Sequence, residues 1–566
     1  MNRKIVITII VLLFFITRLD SAIIHASFDK APYGYSKSLV ANSSTILVPH
    51  NYTTIQEAIN AAKEGDTIIV RNGTYYEHLV VNKALTLVGE TKHDTIIDGD
   101  GTGIVVCVTA DDVALNDFTI QNGELGLLFR YSTTGILTEN IVSNNSYGLY
   151  LWGSSDNILT GNIVSDNWDA IYLYISHNNT FNGNTVSNNW DGFHLESSNL
   201  NVLADNIVSQ NNNDGIHLYH SSNNVLSGNT ASGNQYGIYV GDSDDNVFTR
   251  NTVSCNKYGI YVDYSRYNSF TSNIFTNNSV YGIRFSSSQN NIVFHNNFIK
   301  NVEPSSNIKS VNSWDNGAEG NYWSDYAGTD ANRDGIGDTP YTIDENSQDN
   351  YPLMAMFQKL NVIENQSYEI GAVCNSAISN LQCNYNPDNT INALSFNVNG
   401  SEETGFCRIC IPHALIEPPQ TVTINNNPPP LFKTVYANGT HTWLYFTYDS
   451  SEQEAKIMRI PYPEQLALSQ WAIAGLTVTA AIFLLISIKY YRMSKAQKKI
   501  IQAYESELGS FPVSHPERAR KYFIKDVIKR KEKIEKFEQK YGIKIKSADT
   551  FEDLIKKLGV EKEAKN

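Results

Sequence analysis

Eight short segments of this chain fall into one register: Gly126-Leu-Leu-Phe, Gly148-Leu-Tyr-Leu, Ala170-Ile-Tyr-Leu, Gly192-Phe-His-Leu, Gly215-Ile-His-Leu, Gly237-Ile-Tyr-Val, Gly259-Ile-Tyr-Val and Gly282-Ile-Arg-Phe. The step is 22 residues, lengthened to 23 before Gly215 and before Gly282. A fixed period of this size marks a chain that stacks one small unit on the next, because no single unit can bury its own apolar face. Two asparagine columns keep the same rhythm, one from Asn157 through Asn179, Asn201 and Asn224 to Asn291, the other from Asn140 through Asn162, Asn184 and Asn206 to Asn296. Within a unit the apolar residues alternate, Leu149 and Leu151 against Tyr150 and Trp152, which is strand periodicity. Two more apolar columns follow, through Leu159, Phe181 and Leu203 and through Val164, Val186 and Val208. Three short strands and three polar turns then make one coil. Like residues stack about 4.8 Å apart, and side-chain amides can hydrogen-bond along the axis. The expected fold is all-β, a parallel β-helix over residues 45–300. Before it, Thr54-Ile-Gln-Glu57 reads as the capped start of a short amphipathic helix that covers the open first coil. Strand-like runs follow at residues 67–70, 85–88 and 95–97.

Charge is divided unevenly. Residues 489–566 carry 21 Lys+Arg against 12 Asp+Glu, whereas the preceding 488 residues carry 22 against 46. So acidic a body repels a phosphate backbone and excludes nucleic acid as its partner. The division falls at residues 466–488, 23 residues without a charge, long enough to span a bilayer. Lys489, Arg492, Lys495, Lys498 and Lys499 follow, so the expected topology is single-pass with residues 489–566 cytoplasmic. Residues 1–26 have the form of a signal peptide, a basic start and a 12-residue apolar run. Nine Asn-x-Ser/Thr sequons all precede the apolar segment and suit an extracellular glycoprotein. The basic tail reads as a helical hairpin, with a cytoplasmic partner or anionic lipid as its alternative contacts.

Several passages resemble the NosD-type right-handed β-helix proteins: TIQEAINAAKEGDTIIVRNGTYYEHLVVNKALTLVGE, the repeated coils with Asn-Asn turns, and GNYWSDYAGTDANRDGIGDTPYTID followed by DNYPLM. The likeness covers roughly residues 50–355. It implies a right-handed solenoid of the carbohydrate-binding and sugar-hydrolysing group, in a membrane-anchored archaeal surface form, and the family name implies copper handling. The region 362–460, with SFNVNG and TGFCRICIP, is similar to the small β-sandwich that follows such coils.

The outward face of the repeated strand carries the chemistry. One column reads Tyr150, Tyr172, His194, His217, Tyr239, Tyr261; the next reads Trp152, Tyr174, Glu196, Tyr219. Just ahead stand Trp168-Asp169, Trp190-Asp191 and Asn213-Asp214. Aromatic faces pack on the C–H faces of sugars while carboxylates and imidazoles bond their hydroxyls. The expected partner is a polysaccharide or surface glycan, bound by Trp152, Trp168, Tyr172, Tyr174, Trp190, His194, Glu196, His217 and Tyr219. Asp169, Asp191 and Asp214 form a carboxylate ladder with spacing suited to a glycosidase acid and base, so hydrolysis is the alternative. A lyase acting on an acidic polymer fits poorly, since six bases face twelve acids between residues 126 and 301. Copper or zinc would use His194, His217 and Glu196, with His220 nearby. Asp330, Asn332, Asp334, Asp338 and the carbonyl of Ile336 follow the oxygen spacing of a calcium loop, with Gly335 at its turn and Tyr341 where the bidentate acid should stand; Asp344 or Asp349 would have to replace it. That Ca2+ would close the cap, residues 301–356. Cys374, Cys383, Cys407 and Cys410 are expected to form disulfides outside the cell, three pairings being open, with zinc at Cys407-x-x-Cys410 a minor alternative; Cys107 and Cys255 are expected to be buried and unpaired.

Overall fold

The computed structural model describes residues 44–363, 367–385, 391–399, 404–449, 451 and 453–460. The signal-peptide segment, the apolar segment 466–488 and the tail lie outside the described residues. Among those described, no helix is long and apolar enough to cross a membrane.

Three parallel sheets of 13, 11 and 12 strands wrap one core. Each coil gives one strand to each sheet: Ile158–Thr160, Ile163–Ser165 and Asp169–Tyr174 in one coil, Thr180–Asn182, Thr185–Ser187 and Asp191–Glu196 in the next. The crossovers are right-handed, the hand that twisted parallel strands impose. Register is kept column by column, Leu149 beside Ile171, Ile171 beside Phe193, Phe193 beside Ile216. The inward columns have no solvent exposure, and rings stack along the axis, Phe248 on Phe270 at 4.6 Å and Phe275 on Phe298 at 4.7 Å. Each such phenylalanine contributes about 1.5–3 kcal/mol by leaving water.

The turns explain the asparagines. At these corners a residue at positive φ, such as Asp156, Asn178 or Leu200, precedes a buried asparagine. Asn162 shows the accounting: its Oδ1 accepts from the N–H and Nδ2 of Asn140, and its Nδ2 donates to Leu137 O and to Asn184 Oδ1. Donors and acceptor are all used, which is what burial of an amide demands. Two further ladders escaped the sequence reading. One runs Asn145, Asn167, Asn189, Asn211, Asn234, Asn256, Asn278; the other is of serines, from Ser154 through Ser176, Ser198 and Ser221 to Ser288.

The helix Ile55–Ala61 lies between the strands Thr45–Val48 and Thr67–Val70 and buries Ile55, Ala58 and Ile59; Thr54 caps it by accepting from Glu57 N. The coils run past residue 300, because Glu303–Ile308, Val311–Ser313 and Tyr322–Trp323 still pair in the three sheets. Asp349 closes this end. It is fully buried and accepts from the N–H groups of Asn321 and Tyr351 and from Trp323 Nε1.

A sandwich of a five- and a four-stranded antiparallel sheet follows, starting at Phe357 rather than 362, with its own core around Leu394, Phe396, Ile409 and Phe446. Cys107, Cys255, Cys374, Cys407 and Cys410 are not joined in disulfides, and Cys374 Sγ lies 3.2 Å from the Tyr448 hydroxyl. Cys374 and Cys407 stand opposite each other on neighbouring strands, both buried, so of the possible pairings this one has the sulfurs facing. Cys407 and Cys410 are three apart on one strand and therefore face opposite ways, which rules against their sharing a zinc ion. Cys255 is exposed rather than buried, because it occupies the positive-φ corner position where side chains leave the coil.

Candidate functional site

The outward face of the sheet through Tyr147–Trp152, Asp169–Tyr174, Asp191–Glu196, Asp214–Tyr219 and Tyr236–Gly241 holds the expected columns in register. Tyr172 pairs with His194, His194 with His217 and His217 with Tyr239. The glycine or alanine after the first strand residue bends the chain, so that the first and fourth residues share the outer face. Tyr147 accordingly reaches Tyr150, ring to ring at 5.8 Å, and Asp214 Oδ2 lies 3.0 Å from His217 Nδ1. A side chain in place of Gly192 or Gly215 would meet the next coil's carbonyl oxygen at 2.3 or 2.5 Å.

Trp168 and Trp190 stack at 4.8 Å with planes 6° apart, and stay 58% and 42% exposed. Beside this platform the three aspartates are buried. Asp169 and Asp191 are register partners, and one oxygen of each lies with a His194 nitrogen inside a 4.8 Å span. The coil that follows Asp191 has 23 residues, and the extra one sits between Asn211 and Asp214. It ends the tryptophan row and brings the Asn213 amide and the Asp214 N–H onto Asp191 Oδ1, both at 2.9 Å. Asp214 itself turns to His217, leaving Asp214 Oδ1 and His217 Nε2 buried without a partner.

Burial is the main force on the charges here. It pushes the Asp169 carboxyl up to about 7, assisted by Asp191 and opposed by His217. Asp191 is raised by burial too, against the Asp214 N–H and the Asn213 amide. His194 is held down to about 3 by burial and by His217, so the imidazole is neutral. Burial likewise lifts the phenols of Tyr150 and Tyr239 to about 12.

The remaining predicted residues form a second row. Trp152, Tyr174, Glu196 and Tyr219 are register partners, with Trp152 parallel to Tyr150 and under the Arg130 guanidinium at 5.3 Å. Tyr172 donates its hydroxyl to Glu196. The His194–His217–Glu196 metal set is not assembled. The two imidazoles lie face to face at 4.5 Å and 6°, so their in-plane lone pairs do not converge, and Glu196 is held by Tyr172. A feature the sequence reading missed is an open cleft of about 670 Å³ on the N-terminal side, lined by Tyr76, Asp98, Asp100, Asn122, Asn144 and Trp168. Tyr76, Asp98 and Asp100 come from coils before the regular 22-residue period, where columns cannot be read by alignment.

The predicted calcium loop folds around its acids. Asp330 accepts from the N–H groups of Asp334 and Gly335, Asp334 from that of Ile336, and Asp338 from that of Ala331. Asn332 donates to Asp334 Oδ2 at 3.2 Å. Asp349 cannot supply the missing twelfth ligand, since it closes the solenoid, and the Tyr341 hydroxyl bonds Asp325. Two cations of the sandwich reach the loop's carbonyls: Arg408 Nη1 bonds Asp334 O at 2.8 Å and Lys433 Nζ bonds Asn332 O.

Residues 59–246 and 191–328 match the family model of NosD, described as a periplasmic copper-binding protein. No curated protein matches the chain. Among solved structures it is similar to the Dettilon tailspike protein gp208, at 13% identity over 73% of this chain and 93% of that one, TM-score 0.37. It is also similar to an alginate lyase from Paenibacillus sp. str. FPU-7, at 14% over 48% and 99%, TM-score 0.34. A third is DFA-IIIase from Arthrobacter chlorophenolicus A6, at 13% over 47% and 89%, TM-score 0.40. A cuprous centre draws on thiolates and thioethers. The five methionines, at positions 1, 354, 356, 458 and 493, all lie outside the regular coils, and Cys107 and Cys255 are many coils apart, so the outer face does not fit that ion. Over residues 59–328 the chain matches the NosD family model, and its fold there is a right-handed parallel β-helix.

Proposed function

We propose that the outer face is a glycan-binding surface. The observation that carries this reading is the exposed, parallel Trp168–Trp190 pair beside a column of polar groups. The rings are stacked along the axis, planes parallel within 6° and centroids 4.8 Å apart, and their exposed edges and outer faces offer apolar contact to the C–H face of a sugar. Asp169 and Asp191 follow the two rings directly in the chain, Asn213 bonds Asp191, and the cleft lined by Tyr76 and Trp168 continues the track toward the N-terminal coils. The test is retention of the full chain, in detergent, on a panel of neutral and acidic polysaccharides. Retention that survives in Trp168→Ala plus Trp190→Ala sinks the reading.

Glycoside hydrolysis is the second reading, favoured by the buried Asp169–Asp191 pair. One oxygen of each lies within 4.8 Å of the other, below the roughly 5–5.5 Å of a retaining pair. Reducing ends released by the wild type and not by Asp191→Asn would make the protein an enzyme; retention without release leaves it a binder.

Anchoring at the cell surface through residues 466–488 belongs to the same proposal and rests on the sequence: an uncharged 23-residue run with a basic flank. Carbonate-resistant membrane association, with the coils open to external protease, is the expected behaviour.

A further inference from the structure

Among the described residues, one set of three side chains brings metal-ligating atoms together, and it lies in the middle of the outer face. Asp169, Asp191 and His194 each offer an atom within 4.8 Å of the other two. They come from adjacent strands in fixed register, on a rigid sheet rather than a loop. Asp191 is oriented from behind. Asn213 Nδ2 and the Asp214 N–H both bond its Oδ1, which directs Oδ2 away from them. Outer-shell bonds of this kind are what aim a carboxylate at an ion. The surroundings lack cations: the nearest partners of the cluster are Asp214, His217 and the tyrosines, and Asp214 Oδ1, on a residue 4% exposed, has no hydrogen-bond partner. Two buried carboxylates with a third beside them and no Lys or Arg in contact leave an uncompensated negative site.

We propose that Asp169, Asp191 and His194 bind a divalent first-row cation of the Zn2+ type. Two carboxylate oxygens and one imidazole nitrogen suit Zn2+ and, next, Mn2+; they lack the sulfur that cuprous copper prefers. The three donors occupy one side of the ion and leave positions open for water or a hydroxyl. To bind at the usual 2.0–2.2 Å the donors draw in to roughly 3–3.5 Å of one another, a side-chain adjustment that leaves the sheet unchanged. The inference goes beyond the glycan reading and does not depend on it.

The test uses the full chain, stripped with chelator and dialysed against Zn2+, Mn2+ or Cu2+ in turn, with metal counted per chain and absorption spectra taken at the zinc edge. One Zn2+ per chain in a nitrogen and oxygen shell is expected, with a raised Tm. Asp191→Asn and His194→Gln should each weaken binding at least about tenfold, and Asn213→Ala by about tenfold through loss of orientation. Asp330→Asn should leave the zinc count unchanged. His194→Gln decides the matter if Asp191→Asn fails to fold. No zinc, zinc in a sulfur shell, or equal affinity in wild type and His194→Gln would each overturn the proposal. Because no sugar is present in these measurements, failure here leaves the glycan reading standing, and loss of glycan retention leaves this one standing.

Discussion

Arg408 of the sandwich places two donors on one oxygen of Glu319 in the solenoid cap, Nε at 2.8 Å and Nη2 at 2.7 Å, while His295 Nε2 meets the other oxygen at 2.7 Å. The carboxylate is buried, and burial alone would raise its pKa. His295 and then Arg408 outweigh that and hold it down to about 2. With an ordinary value of 4.5, the folded state is favoured by about 3 kcal/mol while the group is ionised. The contribution is full above pH 4.5 and is lost as pH falls toward 2. Tm measured from pH 6 to pH 2.5 should drop across that window in the wild type. Glu319→Gln should flatten the drop. Arg408→Met, which strips a buried carboxylate of one of its two partners, should cost about 3–5 kcal/mol at neutral pH.

Trp168 and Trp190 are stacked on each other, so their losses should not be independent. Trp168→Ala and Trp190→Ala should each weaken polysaccharide retention by about tenfold, and the double variant by less than the product, as expected for residues in contact. Trp152→Ala is the comparison, since that ring is already covered by Arg130 and Tyr131. Its effect should be smaller. Affinity electrophoresis on the retaining polysaccharide measures all four.

The asparagine ladders should fail one rung at a time. Asn206 Oδ1 accepts from the N–H and Nδ2 of Asn184, and its Nδ2 donates to Phe181 O and Asn229 Oδ1. Asn206→Ala strands several of these groups in the core, and each buried orphan costs roughly 1–3 kcal/mol. Urea unfolding should show a loss of about 3 kcal/mol or more. A loss below 1 kcal/mol would mean that water fills the gap.

Calcium is expected at the Asp330 loop. Burial, and after it repulsion from Asp334 and Asp338, raises the Asp330 carboxyl, and an ion there would relieve the repulsion. Addition of Ca2+ should raise Tm in the wild type, and Asp334→Asn should abolish the rise. Because Arg408 and Lys433 hang from the loop's carbonyls, the gain should be read in the sandwich transition as well. No shift at millimolar Ca2+ would make Asp330, Asp334 and Asp338 turn-forming residues and nothing more.

The repeat made the solenoid, its inward columns and its outer face readable, since alignment of coils is a contact map in one dimension. Trp168, Asp169, Trp190 and Asp191 were found that way and stand where the period requires. What alignment could not supply was direction within the column. Whether Asp214 turns to Asp191 or to His217 depends on one additional residue between Asn211 and Asp214, and no period encodes that. The Arg408–Glu319 pair spans 89 residues and two folds, with no pattern at either end to announce it. Cys255 misled for a simpler reason: cysteine is commonly buried, but its backbone conformation, not its polarity, set its exposure.

The 23-residue coil also shows how such a surface can vary. An added residue at the corner between Asn211 and Asp214 leaves the ladder intact, because Asn211 still donates to Asn234 and the strands on either side keep their register. The corner absorbs the length and the sheets do not move. A second coil, between Asn278 and Tyr281, lengthens at the same corner. Insertions there change which side chains meet on the outer face while the core stays the same, so a lineage of such proteins can vary that face coil by coil without refolding the solenoid.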